Sequence, residues 1–431
     1  MTSINIVHSA RLRRLSKEGF WIVLGNAAAV GGTLVGVRLL TELLDPAAYG
    51  ELALGMTVVT LVNQTVFGPL GNGTARFYAP AQEQNDLGGF LNAVRRLVLS
   101  ATAVIVFLIL FTVVGLLIAE KRQWTPIATA ALILATLSGY NAILSGIQTA
   151  ARQRSIVAIH QGMESWARFL VAVGLMLWVG TTSTVAMVGY AMAIICVLGS
   201  QYVFFRKIVP QTGTTPDINR DWREQMLKYS WPFASWGIFY WAQSASDRWA
   251  LIFFATPREV GLYSVLFQLG YQPVAMLTGM AMQLLSPILY QRAGDASDSR
   301  RNANVNDLTW RLTVVSLSVT GVFFLGALLF HTQIFWIFVA TKYGPISYLL
   351  PWMVLAGGIF AAGQVMSLNL MSQMKTHTMI TPKITTAILG VIFNFAGAYL
   401  FGIVGIVFGG LLFSVLYSVW IVMLCKKTAA G

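Results

Sequence analysis

Charge is what this sequence has least of. Of its 431 residues only 10% are Asp, Glu, Lys or Arg, where a soluble domain carries about 25%. No long polar stretch is present in which an extramembrane catalytic domain could fold. Cysteine is scarcer still. Cys196 and Cys425 are the two in the chain, both inside apolar runs, which excludes a disulfide framework and a thiolate metal spacing. The 4 histidines (His8, His160, His331, His377) are scattered. There is no P-loop, no H-E-x-x-H and no G-x-S-x-G. An ATP-hydrolysing motor within the chain is therefore excluded, and no catalytic residue, metal or cofactor is expected.

What is present is apolar: 56% of the residues are hydrophobic. They fall into runs of about 20 or more residues, the length that crosses a bilayer as a helix. The runs lie at 19–44, 51–78, 92–118, 125–150, 158–180 and 184–205, then at 229–255, 259–290, 309–331, 346–371, 381–401 and 403–425. They are continuously apolar and do not alternate, which excludes a β-barrel. The expected fold class is an all-α integral membrane protein of about 12 transmembrane helices, six in each of two lobes. The expected organisation is a cytoplasmic or interfacial segment 1–18, a lobe 19–205, a cytoplasmic linker 206–228, a second lobe 229–425 and a cytoplasmic tail 426–431. In the first segment Arg11, Arg13, Arg14 and Lys17 lie among Ile4, Val7, Leu12 and Leu15, as in an interfacial amphipathic segment. A cleaved signal peptide is not expected, because the apolar run that follows is too long for one.

The net charge of +13 invites a nucleic-acid reading, and the positions of the cations remove it. With the N-terminus inside, outer turns hold Lys121, Arg122, Arg258 and Lys342, and Arg38, Arg168 and Arg248 lie within spans. The other 22 of the 29 Lys and Arg then face the cytoplasm. Such a bias sets orientation and predicts both termini cytoplasmic.

The stretch 31–78 organises the first lobe. It reads as an apolar helix, a turn through Asp45, Pro46, Tyr49 and Gly50, and a second apolar helix. The turn recurs 211 residues later as Pro257-x-x-Val260-Gly261, at the matching position of the second lobe. Six helices per half give both halves one orientation, so the repeat is parallel, related by a pseudo-two-fold axis along the membrane normal.

Ionisable residues inside spans are costly and tend to face a bundle interior or a wet cavity. Arg38 precedes Glu42 by four residues and Arg168 follows Glu164 by four, so each pair shares a helix face. Two readings stay open for them, an intrahelical ion pair and a basic cavity. Arg248 follows Asp247 directly. Neighbours on a helix point in different directions, so Arg248 is expected to lack a face-to-face partner and to be the strongest cavity candidate. Trp236, Tyr240, Gln243 and Asp247 form a stripe on the seventh span. Asn72 lies in the second among Gly68, Pro69, Gly71 and Gly73, and Gln268 lies in the eighth before Pro273. These side chains suit either helix–helix hydrogen bonding or contact with sugars. Together with the arginines, whose planar fork matches phosphate, they suit a sugar–phosphate ligand.

The run Arg38-Leu-Leu-Thr-Glu-Leu-Leu-Asp-Pro-Ala-Ala-Tyr-Gly-Glu-Leu-Ala-Leu resembles the first-hairpin signature of the polysaccharide transporter family. These are lipid-linked oligosaccharide flippases of the multidrug/oligosaccharidyl-lipid/polysaccharide exporter superfamily. Gly73-Thr-Ala-Arg76-Phe-Tyr78 is similar to the end of that family's second helix. The resemblance implies a central cavity lined by the first, second, seventh and eighth helices, and export of undecaprenyl-pyrophosphate-linked glycan units such as O-antigen (for lipopolysaccharide) or exopolysaccharide repeats. It implies a bacterial inner membrane, membrane lipids and the lipid-linked oligosaccharide as partners, no nucleic acid, and association with other polysaccharide biosynthesis proteins. On this reading Arg38, Arg168 and Arg248 neutralise the pyrophosphate. Trp236, Tyr240, Gln243, Gln268 and Asn72 meet sugars, and Glu42, Glu164 and Asp247 serve charge pairing or coupling. The carboxylate midway along the first helix that many multidrug members carry is missing, since Glu42 lies near the outer end. A multidrug exporter is the first rival; a membrane-embedded glycan-processing enzyme, which calls for a sizeable loop, is the second.

The orientation is testable with single cysteines in a chain whose Cys196 and Cys425 are replaced by Ala. A membrane-impermeant thiol reagent on intact cells should label K121C and leave R152C unlabelled until the cells are permeabilised. The reverse pattern would overturn the assignment.

Overall fold

The computed structural model describes residues 2–207, 221–294 and 298–430, and among these every regular element is helical. The first half contributes α1 (Thr2–Leu43), α2 (Pro46–Val62), α3 (Gly68–Glu83), α4 (Leu87–Ile118), α5 (Thr125–Ala150), α6 (Arg154–Val179) and α7 (Ser183–Arg206). The second contributes α8 (Trp222–Phe254), α9 (Pro257–Gly270), α10 (Gln272–Ala293), α11 (Ser299–Phe338), α12 (Leu350–Ser372) and α13 (Ile380–Ala430). Among the described residues ten helical segments are long and apolar enough to cross a membrane. One of them, His377–Thr428, is 52 residues long and holds two of the expected spans. It breaks at Gly402, whose φ of 57° with ψ of −132° is open only to glycine. The boundary expected between 401 and 403 falls on that residue. The 33-residue α8 is also long enough, though its polar stripe keeps it out of the ten. The ten candidates, one of them holding two expected spans, and α8 at the place of the expected seventh accord with the expectation of about twelve. Of the linker 206–228, residues 208–220 lie outside the described ones, as do the side chains on which the amphipathic reading of 1–18 rests.

The second span of each half is interrupted. Between α2 and α3 a π turn, Asn63–Phe67, widens the helix just before Gly68-Pro69, and the Gly68 amide returns to the Asn63 carbonyl. Proline has no N–H and its ring displaces the carbonyl one turn back, and a single π turn absorbs that mismatch. Between α9 and α10 the break sits at Tyr271, before Pro273.

The Pro46–Gly50 motif is not a turn, as the sequence reading had it. The chain reverses at Leu44 and Asp45, and Pro46–Gly50 is the first turn of α2. Proline is pre-organised for the first helical position, and the Asp45 carboxylate accepts from the Ala48 amide at 2.7 Å. Pro257 opens α9 in the same way, with the Thr256 hydroxyl accepting from the Glu259 amide at 3.4 Å.

Two compact units make up the chain: Met1–Gly36 with Glu51–Trp241, and Val37–Gly50 with Ala242–Gly431. Relative to the lobes expected from the sequence, residues 37–50 go with the second unit and 229–241 with the first. In the first unit the initial half of α8 is fastened to carbonyls and to a cap. Trp241 Nε1 donates to the Thr57 carbonyl at 2.7 Å and Ser230 Oγ to the Pro69 carbonyl at 2.8 Å. Trp222 Nε1 donates to Asp86 at 2.7 Å, and Asp86 also caps α4 through the Gly89 amide. In the second unit the two proline–glycine motifs meet. A Cβ on Gly50 would collide with the Pro257 carbonyl, and one on Gly261 with the Pro46 carbonyl. The repeat is thus a reciprocal close crossing of α2 and α9 in which each glycine admits the other helix's first carbonyl.

Gly50→Ala and Gly261→Ala should each lower stability by about 3 kcal/mol, the upper range for overpacking because the obstacle is backbone. Gly115→Ala, in α4 with nothing within 4 Å of its would-be Cβ, should change it by less than about 1 kcal/mol. Thermal denaturation of the purified protein in detergent reads all three.

Candidate functional site

Each of the three arginines expected within spans has its own partners. Arg38 belongs to the second unit. Its Nη2 lies 2.6 Å from Glu42 Oε1, one turn on along α1. Its Nη1 donates to the carbonyls of Trp336 and Val339, which belong to the last turn and C-cap of α11. A helix C-terminus leaves its final carbonyls without intrahelical donors and carries partial negative charge, so the guanidinium caps α11. The same end of α1 is stitched further. The Ala340 amide donates to Thr41 Oγ1 at 3.1 Å, Lys342 Nζ to the Glu42 carbonyl at 3.1 Å, and Tyr343 OH to the Leu44 carbonyl at 3.0 Å. Of the two readings left open for Arg38, the ion pair is the one formed, and the rest of the fork is committed to backbone.

Arg248 corrects the expectation that Asp247 could not reach it. The guanidinium folds back along its own helix, and Nη1 lies 3.2 Å from Asp247 Oδ1. Directions at Cβ diverge for adjacent helical residues, but four flexible bonds in arginine outrun that divergence. The pair is well buried, with side-chain exposures of 13% and 8%. Asp247 is saturated as well. It accepts from the Arg248 amide at 2.7 Å and from Tyr263 OH at 2.7 Å. The Arg248 charge also lies over the ring faces of Phe267, at 4.6 Å, and Tyr263, at 5.9 Å. Beside it, Asn394 Nδ2 of α13 donates to Ser246 Oγ at 2.8 Å.

Arg168, in the first unit, is differently placed. Its Nε is buried with no hydrogen-bond partner. Its charge is met by the ring faces of Phe169, at 4.9 Å, and Tyr190, at 5.3 Å, both rings being buried. Glu164 is within electrostatic reach of Arg168 and accepts from Asn141 Nδ2 of α5 at 2.6 Å. Among the described residues no direct Arg168–Glu164 ion pair closes, so the i,i+4 pair expected from spacing is replaced by an amide–carboxylate bond to a neighbouring helix. A buried donor without a partner is costly. Here the charge is met by π faces, and they leave the Nε donor unused.

The expected sugar contacts also divide. Trp236 and Tyr240, one turn apart on α8, are exposed, as is Asn72 on α3. All three belong to the first unit, with Arg168. Gly237 between the two aromatics lies directly against the Gln64 carbonyl of the π turn, which fixes that face of α8 on the widened part of the second span. Gln243 and Gln268 belong to the second unit and are half-buried. Gln268 Oε1 accepts from Tyr49 OH at 3.1 Å, so it is spent on the α2–α9 crossing. Asn141, Phe169, Tyr190, Tyr263 and Phe267 went unnoticed in the sequence. Phe169 adjoins Arg168, and Tyr263 with Phe267 share a face of α9, but nothing in the sequence pairs those faces with arginines.

Comparison with known proteins follows this geometry. No curated protein matches the chain in sequence. Solved structures match its fold. One is described as the inward-facing conformation of a multidrug resistance MATE family transporter of the MOP superfamily, at TM-score 0.70 and 13% identity over 96% of this chain and 94% of that one. Another is the lipid II flippase MurJ in an inward closed conformation, at TM-score 0.70 and 12% identity over 96% and 87%. A third is a MOP superfamily transporter from Pyrococcus furiosus, at TM-score 0.59 and 13% identity over 96% and 95%. Identities this low speak to fold alone: the all-helical, two-lobe fold of those chains. Sequence goes further, because the model of the family described as polysaccharide biosynthesis protein matches residues 15–293, well over half the chain, and the protein belongs to that family.

Proposed function

We propose that the protein is a flippase for a polyprenyl-pyrophosphate-linked oligosaccharide, moving an O-antigen or exopolysaccharide repeat unit from the cytoplasmic to the periplasmic leaflet of a bacterial inner membrane. The observation that carries this reading is Arg168: a guanidinium within a membrane helix, its Nε unsatisfied and its charge met by rings, in a chain of the polysaccharide biosynthesis family. Its free edge suits a pyrophosphate oxygen. The exposed faces of Trp236 and Tyr240 and the amide of Asn72 suit sugar rings and hydroxyls. Arg38 and Arg248 serve instead to hold α11 and α8. Alternating access would carry the anionic head through protein while the polyprenyl tail stays in lipid. An inside-negative potential assists outward movement of negative charge by about 2.3 kcal/mol per charge per 100 mV. Enzymes that build and polymerise the unit are the natural partners on either side of the step.

A second reading, a multidrug exporter, is favoured by the fold likeness to MATE transporters. It calls for a cavity that receives cations, and the arginines oppose it. In a strain lacking the gene, loss of surface glycan supports the flippase. Sensitivity to cationic dyes with normal glycan would support the exporter.

The residue roles separate in proteoliposomes loaded with lipid-linked oligosaccharide. Arg168→Ala should slow translocation about 10- to 100-fold, the worth of one charge-assisted contact, with an unchanged melting temperature. Arg38→Ala should lower the melting temperature by uncapping α11 and reduce translocation only in proportion to the folded fraction. Full translocation by folded Arg168→Ala would remove Arg168 from the site.

A further inference from the structure

The first unit carries a groove that the proposed transport reading does not use. It has a volume of about 900 Å³ and runs between α4, α5 and α7. One end is formed by Arg95, Arg206 and Lys207, all exposed. The walls are apolar, Val98 on α4, Leu144 and Ile147 on α5 and Val203 on α7, with Tyr140 and Tyr202 among them. No carboxylate lines it, so three cations converge without a counter-charge from the groove itself. Lys207 lies over the Phe204 ring at 5.1 Å.

The placement of the cations is systematic. Arg95 is near the start of α4, while Arg206 and Lys207 close α7. α4 and α7 both pack on α5 and run in opposite directions, which brings those ends to one level, the level that the distribution of Lys and Arg assigns to the cytoplasmic surface. On α5 the wall runs about 10 Å, seven residues from Ile147 to Tyr140 at about 1.5 Å each; on α4 it reaches about one turn to either side of Arg95, from Leu91 to Val98. The flanking surfaces are apolar and outward-facing: Leu99, Val106 and Leu110 on α4, and Met192, Ile195 and Val203 on α7, are all exposed, as lipid-contacting residues of a membrane chain are. Interhelical hydrogen bonds, buried or half-buried, tie the groove's walls together. Tyr140 OH and Thr102 Oγ1 lie 2.6 Å apart between α5 and α4. Gln201 Nε2 donates to Ser145 Oγ at 2.8 Å and Gln148 Oε1 at 3.0 Å between α7 and α5.

We infer that this groove is a binding site for an anionic glycerophospholipid of the cytoplasmic leaflet, with the headgroup phosphate at Arg95, Arg206 and Lys207 and the upper part of an acyl chain between α4, α5 and α7. Basic pockets between membrane helices on the cytoplasmic side select such headgroups. The cations provide the charge term, and the apolar walls separate a lipid from a free anion.

Native mass spectrometry of the full chain in mild detergent tests this with phosphatidylglycerol and phosphatidylcholine of identical chains. Phosphatidylglycerol adducts should appear at a concentration at least about fivefold lower, and glycerol phosphate at the same concentration should not displace them. The triple variant R95Q/R206Q/K207Q should lose the preference. Leu144→Trp, which fills the groove and keeps the cations, should lose the adduct, and it stands in if the triple variant fails to fold. Equal retention of the two lipids, or a preference unchanged in the folded variants, overturns the assignment. Displacement by glycerol phosphate makes it a free-anion site, and displacement by equimolar polyprenyl diphosphate makes it a carrier-lipid site; either outcome overturns it too.

Discussion

Backbone groups inside a bilayer have no water to turn to, so each donor and acceptor must find a partner within the chain. Unbroken helices meet that demand automatically; broken ones do not. This chain breaks or ends its helices repeatedly in apolar surroundings, at Asn63–Phe67, at Tyr271, at Gly402 and after Phe338. Many of its conspicuous polar side chains are recruited there. Arg38 closes the end of α11, Tyr343 the end of α1, and Thr41 receives the Ala340 amide. Trp241 and Ser230 reach carbonyls on either side of the π turn. Most of this polar inventory therefore maintains helices rather than binding a substrate, and the residues left over are the informative ones.

That distinction explains how the sequence could be read well for fold and less well for site. Span number follows from run length, since about 20 residues cross a bilayer whatever they pack against. The break at Gly402 was legible because two runs abut with no polar loop between them, and only a residue with access to positive φ reverses a chain in that space. The fates of Arg38 and Gln268 were not legible. Their partners lie 298 and 219 residues away, and nothing local marks a carbonyl at a helix end as vacant. The Arg248–Asp247 pair escaped notice for another reason. Face arguments treat side chains as vectors from Cβ, and arginine is long enough to defeat them.

The proline–glycine repeat changes meaning in the same way. From the sequence it marks two equivalent outer corners. In the structure it is one contact made by two copies of the motif, with Gly50 and Gly261 each receiving a carbonyl from the other helix and Tyr49 binding Gln268 across it. A duplicated motif that packs against its own copy has to keep both glycines, because a side chain on either one would separate the pair. The duplication thus specifies a crossing, and its chemistry is steric.

Among the described residues an arginine packs on aromatic faces in each unit, and the two instances differ in how far the arginine is otherwise partnered. In the second unit Arg248 lies over Phe267 and Tyr263 while Asp247 neutralises it and Tyr263 saturates Asp247. Such a closed set stabilises its helices, and an incoming anion would have to displace a buried carboxylate. In the first unit Arg168 lies over Phe169 and Tyr190, but its nearby carboxylate is bound to Asn141 and one of its own donors is empty. The rings supply enough attraction to keep a guanidinium in an apolar helix without occupying its N–H edge. On the proposed reading, an anion would meet an unsatisfied donor there and would not have to displace a bound carboxylate. The same residue types, closed in one unit and open in the other, thus separate a fastening from a candidate site.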